Sequence, residues 1–174
     1  MSDTKAVLSP SGIPIGTILA FAGEKNRIPE GWLPCDGIQV KNTDYPNLFK
    51  SIGNVWGGSG TPNFFLPDLR GMFLRGVSGS TSIDPDKDAR QSPQIAGSPN
   101  NPGNNGNEVG SIQGSEIKTH DHTIQLGVTT DFDGTQVRGG VYNRGQGLGK
   151  SSGTGGSETR PVNAYVYFII KVDD

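Results

Sequence analysis

The sequence predicts a mainly β fold with one short helix and long Gly/Pro/Asn-rich loops, and three observations carry that prediction. Glycine and proline number 27 and 12 in 174 residues, and chains so punctuated are built from turns, short strands and loops. Only 32% of the residues are hydrophobic, too few for one large core. Apolar residues alternate or run together as they do in strands near both ends of the chain, and only one segment has helix start and stop signals. So thin a core favours oligomerisation, because a partner buries what the core leaves wet.

The elements follow in chain order. Ile15, Thr17, Leu19 and Phe21 alternate with Gly16, Ile18 and Ala20, which predicts a short strand with one better-buried face. Two prolines and two glycines between Ile28 and Gly37 force successive turns around Trp32. A helix is predicted next: Asp44 as its cap, Pro46 in its first turn, Leu48, Phe49 and Ile52 on one face, and Gly53 as its end. The run from Asn63 to Gly76 supplies most of the remaining core aromatics, with Arg70 and Arg75 expected to pair with Asp68 and Asp36. Residues 98–110 are packed with Asn, Pro and Gly, a composition that folds only against neighbours. Ile124, Leu126 and Val128 return to alternation, residues 139–156 read as a loop, and the apolar run from Val162 to Val172 is the best strand. Both faces of that last strand are apolar, so it is expected to be central or sandwiched between subunits.

Charge and length exclude several function classes. A net charge of −2 and a pI near 5.6 leave no electrostatic footprint for nucleic acid. No stretch of 18 apolar residues predicts membrane insertion, and Met1 to Pro10 lacks the basic-then-apolar pattern of a signal peptide. Synthesis in a cytoplasm is therefore expected. Cys35 is the sole cysteine, so no intrachain disulfide framework is available.

The most informative triplet is His120-Asp121-His122, which holds both histidines of the chain. At i and i+2 on an extended strand, two imidazoles leave one face about 6.5–7 Å apart. His120 and His122 also share the parity of Ile124, Leu126 and Val128, so the strand aims them inward. Two ligands do not close a coordination sphere. Three chains meeting on a threefold axis would bring six imidazole nitrogens together, a set suited to iron, nickel or six-coordinate zinc. The alternative is an exposed pair that binds nothing.

Other motifs fail on their own terms. The residues from Asp84 to Arg90 begin like a calcium loop, but Ala89 stands where the required glycine would be and Ile95 where the bidentate glutamate would be. Gly149-Lys150-Ser151-Ser152-Gly153 spells a nucleophile-elbow pattern, yet no histidine follows it and no helix signal succeeds it. The run from Gly145 to Ser151 is one residue short of a phosphate loop, since Arg144 occupies the place of its first glycine. Cys35, between Pro34 and Asp36, reads as a packed small side chain rather than a nucleophile. With no convergent acid/base constellation, the chain is expected to be non-enzymatic.

Several long, ordered segments carry a resemblance. Ile13-Pro14-Ile15-Gly16-Thr17-Ile18, then Pro29-Glu30-Gly31-Trp32-Leu33-Pro34-Cys35-Asp36-Gly37, then Tyr45-Pro46-Asn47-Leu48-Phe49, and then Phe65-Leu66-Pro67-Asp68-Leu69-Arg70-Gly71-Met72-Phe73-Leu74-Arg75-Gly76 resemble the phage tail collar family. Downstream, Asp84-Pro85-Asp86, the residues from Val109 to Gly114, Thr119-His120-Asp121-His122 and Glu158-Thr159-Arg160-Pro161 are similar to the tip region of bacteriophage short tail fibres and other tail fibre proteins. The resemblance covers residues 13–174 and is weakest in the Asn/Pro/Gly loop and at residues 127–156. It implies an N-terminal extension at 1–12, a tail collar domain at 13–76, and a trimeric metal- and receptor-binding tip at 77–174.

By the same resemblance the protein is an intertwined homotrimer in a virion. Its implied partners are other tail or baseplate proteins and a glycan or protein on a host cell surface. Its implied cofactor is a transition metal ion, iron, zinc or nickel, shared by three chains through His120 and His122. Loops on a rigid scaffold are where recognition resides, which directs attention to Phe132, Arg138, Tyr142, Arg144 and Lys150 as receptor contacts. Two other roles fit the same fold: a collar or baseplate connector that joins only virion proteins, and a depolymerase acting on surface polysaccharide.

Overall fold

A computed structural model describes residues 12–93, 101–116 and 160–173. The chain divides into two compact units, Met1–Gly114 with Asn163–Asp174, and Ser115–Val162. Most of the second unit lies outside the described residues, so the account below concerns the first.

That unit is mainly strands with one helix. Strands β1 (Ile18–Phe21), β2 (Trp32–Pro34), β3 (Gln39–Lys41), β4 (Asn63–Phe65) and β5 (Tyr167–Lys171) accompany α1 (Pro46–Ile52) and two 3-10 turns, Lys25–Arg27 and Lys87–Ala89. The last strand enters between the first two, giving an antiparallel sheet in the order β1-β5-β2. Ile18 stands opposite Ile170 and Phe21 opposite Tyr167, while Trp32 stands opposite Lys171 and Pro34 opposite Ile169. A second antiparallel pair, β3-β4, sets Val40 against Phe64. Irregular pairing joins the two sheets: Cys35 N–H donates to Phe168 O at 2.8 Å, Leu69 N–H to Cys35 O at 3.0 Å, and Leu66 N–H to Ile38 O at 3.0 Å. Asp36 and Asp68 form an isolated bridge between them.

The helix lies in the connection between β3 and β4 and turns Leu48 into the core. Leu48 is its buried residue, packed in one cluster with Ile15, Cys35, Val40, Phe64, Leu66, Leu69, Ile170 and Val172. Phe49 tilts against Phe64 with ring centroids 5.1 Å apart, an arrangement worth about 0.5–1.5 kcal/mol beyond burial. Pro46 opens the helix and the Gly53 N–H closes it on Phe49 O. The cap falls one residue later than the sequence predicts: Tyr45, which makes no side-chain cap, precedes the helix. Asp44 instead accepts a 3.1 Å hydrogen bond from Thr43 Oγ1. A proline pushes the residue before it out of the helical region, which makes Tyr45 the boundary.

Three further expectations are corrected. The alternation from Ile15 to Phe21 is broken by a turn, in which the Thr17 N–H reaches Pro14 O at 3.1 Å. Ile15 is therefore buried while Leu19 faces outward. In the run after Asn63, Phe64, Phe65, Leu66 and Leu69 enter the core, but Met72, Phe73 and Leu74 are exposed. A turn closed by the Met72 N–H on Leu69 O carries them off the body. The last strand is central as expected, with Ile169, Ile170, Lys171 and Val172 all buried, but it spans only Tyr167–Lys171 rather than the whole run from Val162.

The described part of the Asn/Pro/Gly loop is held by its neighbours. Gly58 N–H donates to Asn101 O, Asn104 N–H to Val55 O and Gly106 N–H to Arg90 O. Gly103 and Gly110 permit the contact, having φ of 94° and 97°. A Cβ on Gly103 would lie 2.7 Å from the Val55 carbonyl oxygen, and one on Gly110 would be closer still.

Candidate functional site

Two features of the first unit stand out from its packed core. The first is a polar junction built on Asp84, whose side chain is almost wholly buried. Arg75 Nε lies 3.5 Å and Arg90 Nη1 3.7 Å from its Oδ2, while its Oδ1 accepts the Asp86 N–H at 3.2 Å. Arg90 continues outward: its Nε donates to Ser111 Oγ at 3.0 Å, Nη2 to Ser111 O at 3.1 Å and Nη1 to Gln113 Oε1 at 3.0 Å. Two backbone bonds between Gln91 and Ile112 complete the seam. One buried carboxylate thus ties residues 75–91 to residues 111–113. Its two guanidinium neighbours hold its charge, since a buried charge needs partners of opposite sign.

The second feature is the end of the sheet at which Asp36 and Asp68 stand side by side. Arg70 pairs with Asp68 through both Nε and Nη2, and Arg70's hydrogen bonds hold the Asp68 carboxyl below its ordinary range. Asp36 does not pair with an arginine as expected; Lys25 Nζ reaches its Oδ2 at 2.9 Å. Arg75 turns to Asp84 instead, because the chain leaves the sheet after Leu69. Beside Asp36, burial pushes the Cys35 thiol up to about 12, with the Asp36 charge adding to the effect. Cys35 is thus a packing residue, as its flanking proline and aspartate suggest.

His120, His122, Phe132, Arg138, Tyr142, Arg144 and Lys150 all lie outside the described residues. Among the described residues no group of three or more His, Cys, Asp or Glu gathers as a metal site. Among them, too, no helix is long and apolar enough to cross a membrane. Sequence reasoning missed the Asp84 junction because alternating acids draw attention to one another, whereas the partners that matter, Arg75 and Arg90, flank them on both sides.

Residues 16–74, which comprise β1 to β4, α1 and the turns between them, match the Phage Tail Collar Domain family. Three relatives extend the similarity. RhiB of Rhizobium leguminosarum bv. viciae is 30% identical over 148 residues, covering 82% of this chain and 64% of that protein. The short tail fiber protein gp12 of Enterobacteria phage T4 is 29% identical over 191 residues, covering 93% of this chain and 36% of gp12. StfE, an uncharacterized protein of Escherichia coli (strain K12), is 27% identical over 193 residues, covering 92% of this chain and 89% of StfE. The chain thus spans less than two thirds of the first two.

Proposed function

We propose that this chain is a subunit of a homotrimeric tail-fibre tip that attaches a phage, or a phage-derived injection particle, to a host cell surface. In the assembled virion it associates with other tail proteins. The observation that carries this reading is the collar domain, together with a short tail fibre protein that aligns with 93% of the chain. Within the trimer, His120 and His122 of each chain supply six neutral imidazole nitrogens to a shared iron, zinc or nickel ion, which pins the strands in register. Exposed loops bearing Phe132, Arg138, Tyr142, Arg144 and Lys150 meet a glycan or protein of the host.

Native mass measurement with metal analysis tests the assembly. The expected result is a mass three times that of the chain with about one metal per three chains. His120→Ala and His122→Ala should each lose the metal together with resistance to heat. A metal-free monomer would refute the reading. Binding of the isolated trimer to whole cells separates attachment from a connector role, because a piece that only joins virion proteins holds no cells. Exchange of the loop at residues 132–150 should shift which cells are bound.

A further inference from the structure

Asn105 is the only asparagine of the sequence that is followed by glycine. Such a step is chemically weak, because glycine lacks the Cβ that would otherwise shield the next amide nitrogen from the asparagine side chain. The Asn105 side chain is exposed, and among the described residues it makes no hydrogen bond. Its neighbours are held. Asn104 N–H donates to Val55 O and Asn104 Nδ2 to Val109 O, while Asn107 brackets Gly79, accepting its N–H at Oδ1 and donating from Nδ2 to its O. The nitrogen that would react is held as well, for the Gly106 N–H donates to Arg90 O at 2.9 Å. Nothing crowds it: among the described residues a Cβ at Gly106 would meet only Asp88 O, at 3.7 Å. The hydrogen bond, rather than steric cover, is the restraint on this step.

We propose that Asn105-Gly106 is a deamidation site that the fold holds in check through the Arg90 carbonyl, so that conversion marks chains whose loop has opened. The reaction requires the Gly106 nitrogen to lose its proton and attack Asn105 Cγ. An N–Cγ bond forms, the Cγ–Nδ2 bond breaks, and Nδ2 leaves as ammonia with the proton that the backbone gave up. Water then opens the cyclic imide: cleavage at Cγ leaves aspartate, and cleavage at the main-chain carbonyl carbon of residue 105 leaves isoaspartate. While Arg90 O holds the N–H, the proton stays on nitrogen, and the main-chain rotation that must bring Cγ over that nitrogen is restricted. Local opening releases both restraints together, and a loop opens at far lower cost than the core. The product is not neutral to the fold. Either form adds a negative charge, and isoaspartate adds a methylene to the main chain between Asn104 and Gly106. The longer path cannot keep both Asn104 on Val55 and Gly106 on Arg90. This site lies in the first unit and needs neither the trimer nor the metal.

Peptide mapping of the full native chain at mildly alkaline pH follows the reaction, with fragmentation to place the site and enzymatic methylation to count isoaspartate. The same chain unfolded in guanidinium chloride should convert at Asn105 at least tenfold faster than the native chain. Asn105→Gln should abolish conversion at this position in both states, because the ring it must close is larger. The factor by which the native fold slows conversion should equal, within about threefold, the hydrogen-exchange protection of the Gly106 amide, since one opening event exposes both. In the isoaspartate form the amides of Asn104 and Gly106 should exchange at least tenfold faster than before conversion. Equal conversion in the native and unfolded chains overturns the inference. Slow conversion beside a freely exchanging Gly106 amide overturns it as well, and so does an isoaspartate chain whose loop amides stay as protected as before. If Asn105→Gln fails to fold, the unsubstituted chain in its two states decides.

Discussion

Asp84 gathers two guanidinium groups on one buried side chain. Its carboxylate is buried beside Arg75 and Arg90, and losing it costs about 1–3 kcal/mol, less than a fully buried pair, because Arg75 stays half exposed to water and Arg90 keeps its hydrogen bonds to Ser111 and Gln113. Asp84→Ala should therefore destabilise the fold by an amount of that order in denaturant titration, and should open residues 75–91 to limited proteolysis. Gly103 offers a second test at this scale. A methyl at Gly103 meets the Val55 carbonyl and takes an unfavourable φ, so Gly103→Ala is expected to cost about 1–3 kcal/mol, measured the same way. Cys35, with its thiol pushed up to about 12, stays neutral and shielded at pH 8. Iodoacetamide should label it only at the rate of unfolding. Its raised folded pKa contributes stability that is complete below the unfolded value near 9 and is lost as pH rises toward 12. Asp68 acts at the opposite end of the scale. Its folded pKa is lowered, so its contribution is present above the unfolded value near pH 4 and fades as pH falls through the lower folded value.

At the level of elements, α1 and β5 were legible in the sequence because their signals are local. Pro46, the Leu48, Phe49 and Ile52 spacing, and Gly53 mark the helix within eight residues; apolar character on both faces marks β5 as a central strand. Leu48, fully buried at the centre of the cluster, makes the helix essential. Leu48→Ala should cost about 2–5 kcal/mol, read as a shifted denaturation midpoint. The phase of β1 was not legible, because the turn at Gly16 is fixed by the Gly16 N–H reaching Lys171 O at 2.9 Å, a partner 155 positions away in sequence. For the same reason β3 and β4, at three residues each, carry no pattern of their own and exist because each completes the other. The pairing of Asp36 with Lys25 and of Arg75 with Asp84 likewise depends on where the chain turns after Leu69. The histidine pair and the candidate receptor residues lie outside the described residues, so the sequence remains their only ground.

For the whole molecule, the central question is how many chains share one fold. If six imidazoles meet on an axis, acidification through the histidine range near pH 6.5 should release metal and lower the melting temperature together, because protonated imidazole cannot ligate. The sign is set by ligation: the metal-bound state requires neutral rings, so its stability is complete at higher pH and declines as protons compete. The same transition should be absent in His120→Ala. Native mass spectrometry across pH, with the metal content followed in parallel, distinguishes metal release from dissociation of the chains.

The place of β5 between β1 and β2 has a consequence for biosynthesis. The ribosome must pass Lys171 before either outer strand finds its partner, so Ile18 and Leu33 wait with their apolar side chains uncovered while everything between is translated. A prematurely terminated polypeptide cannot present a finished collar. Nascent chains stalled anywhere before Tyr167 should remain protease-sensitive and chaperone-bound, and only chains extended past Val172 should acquire protease resistance in this sheet.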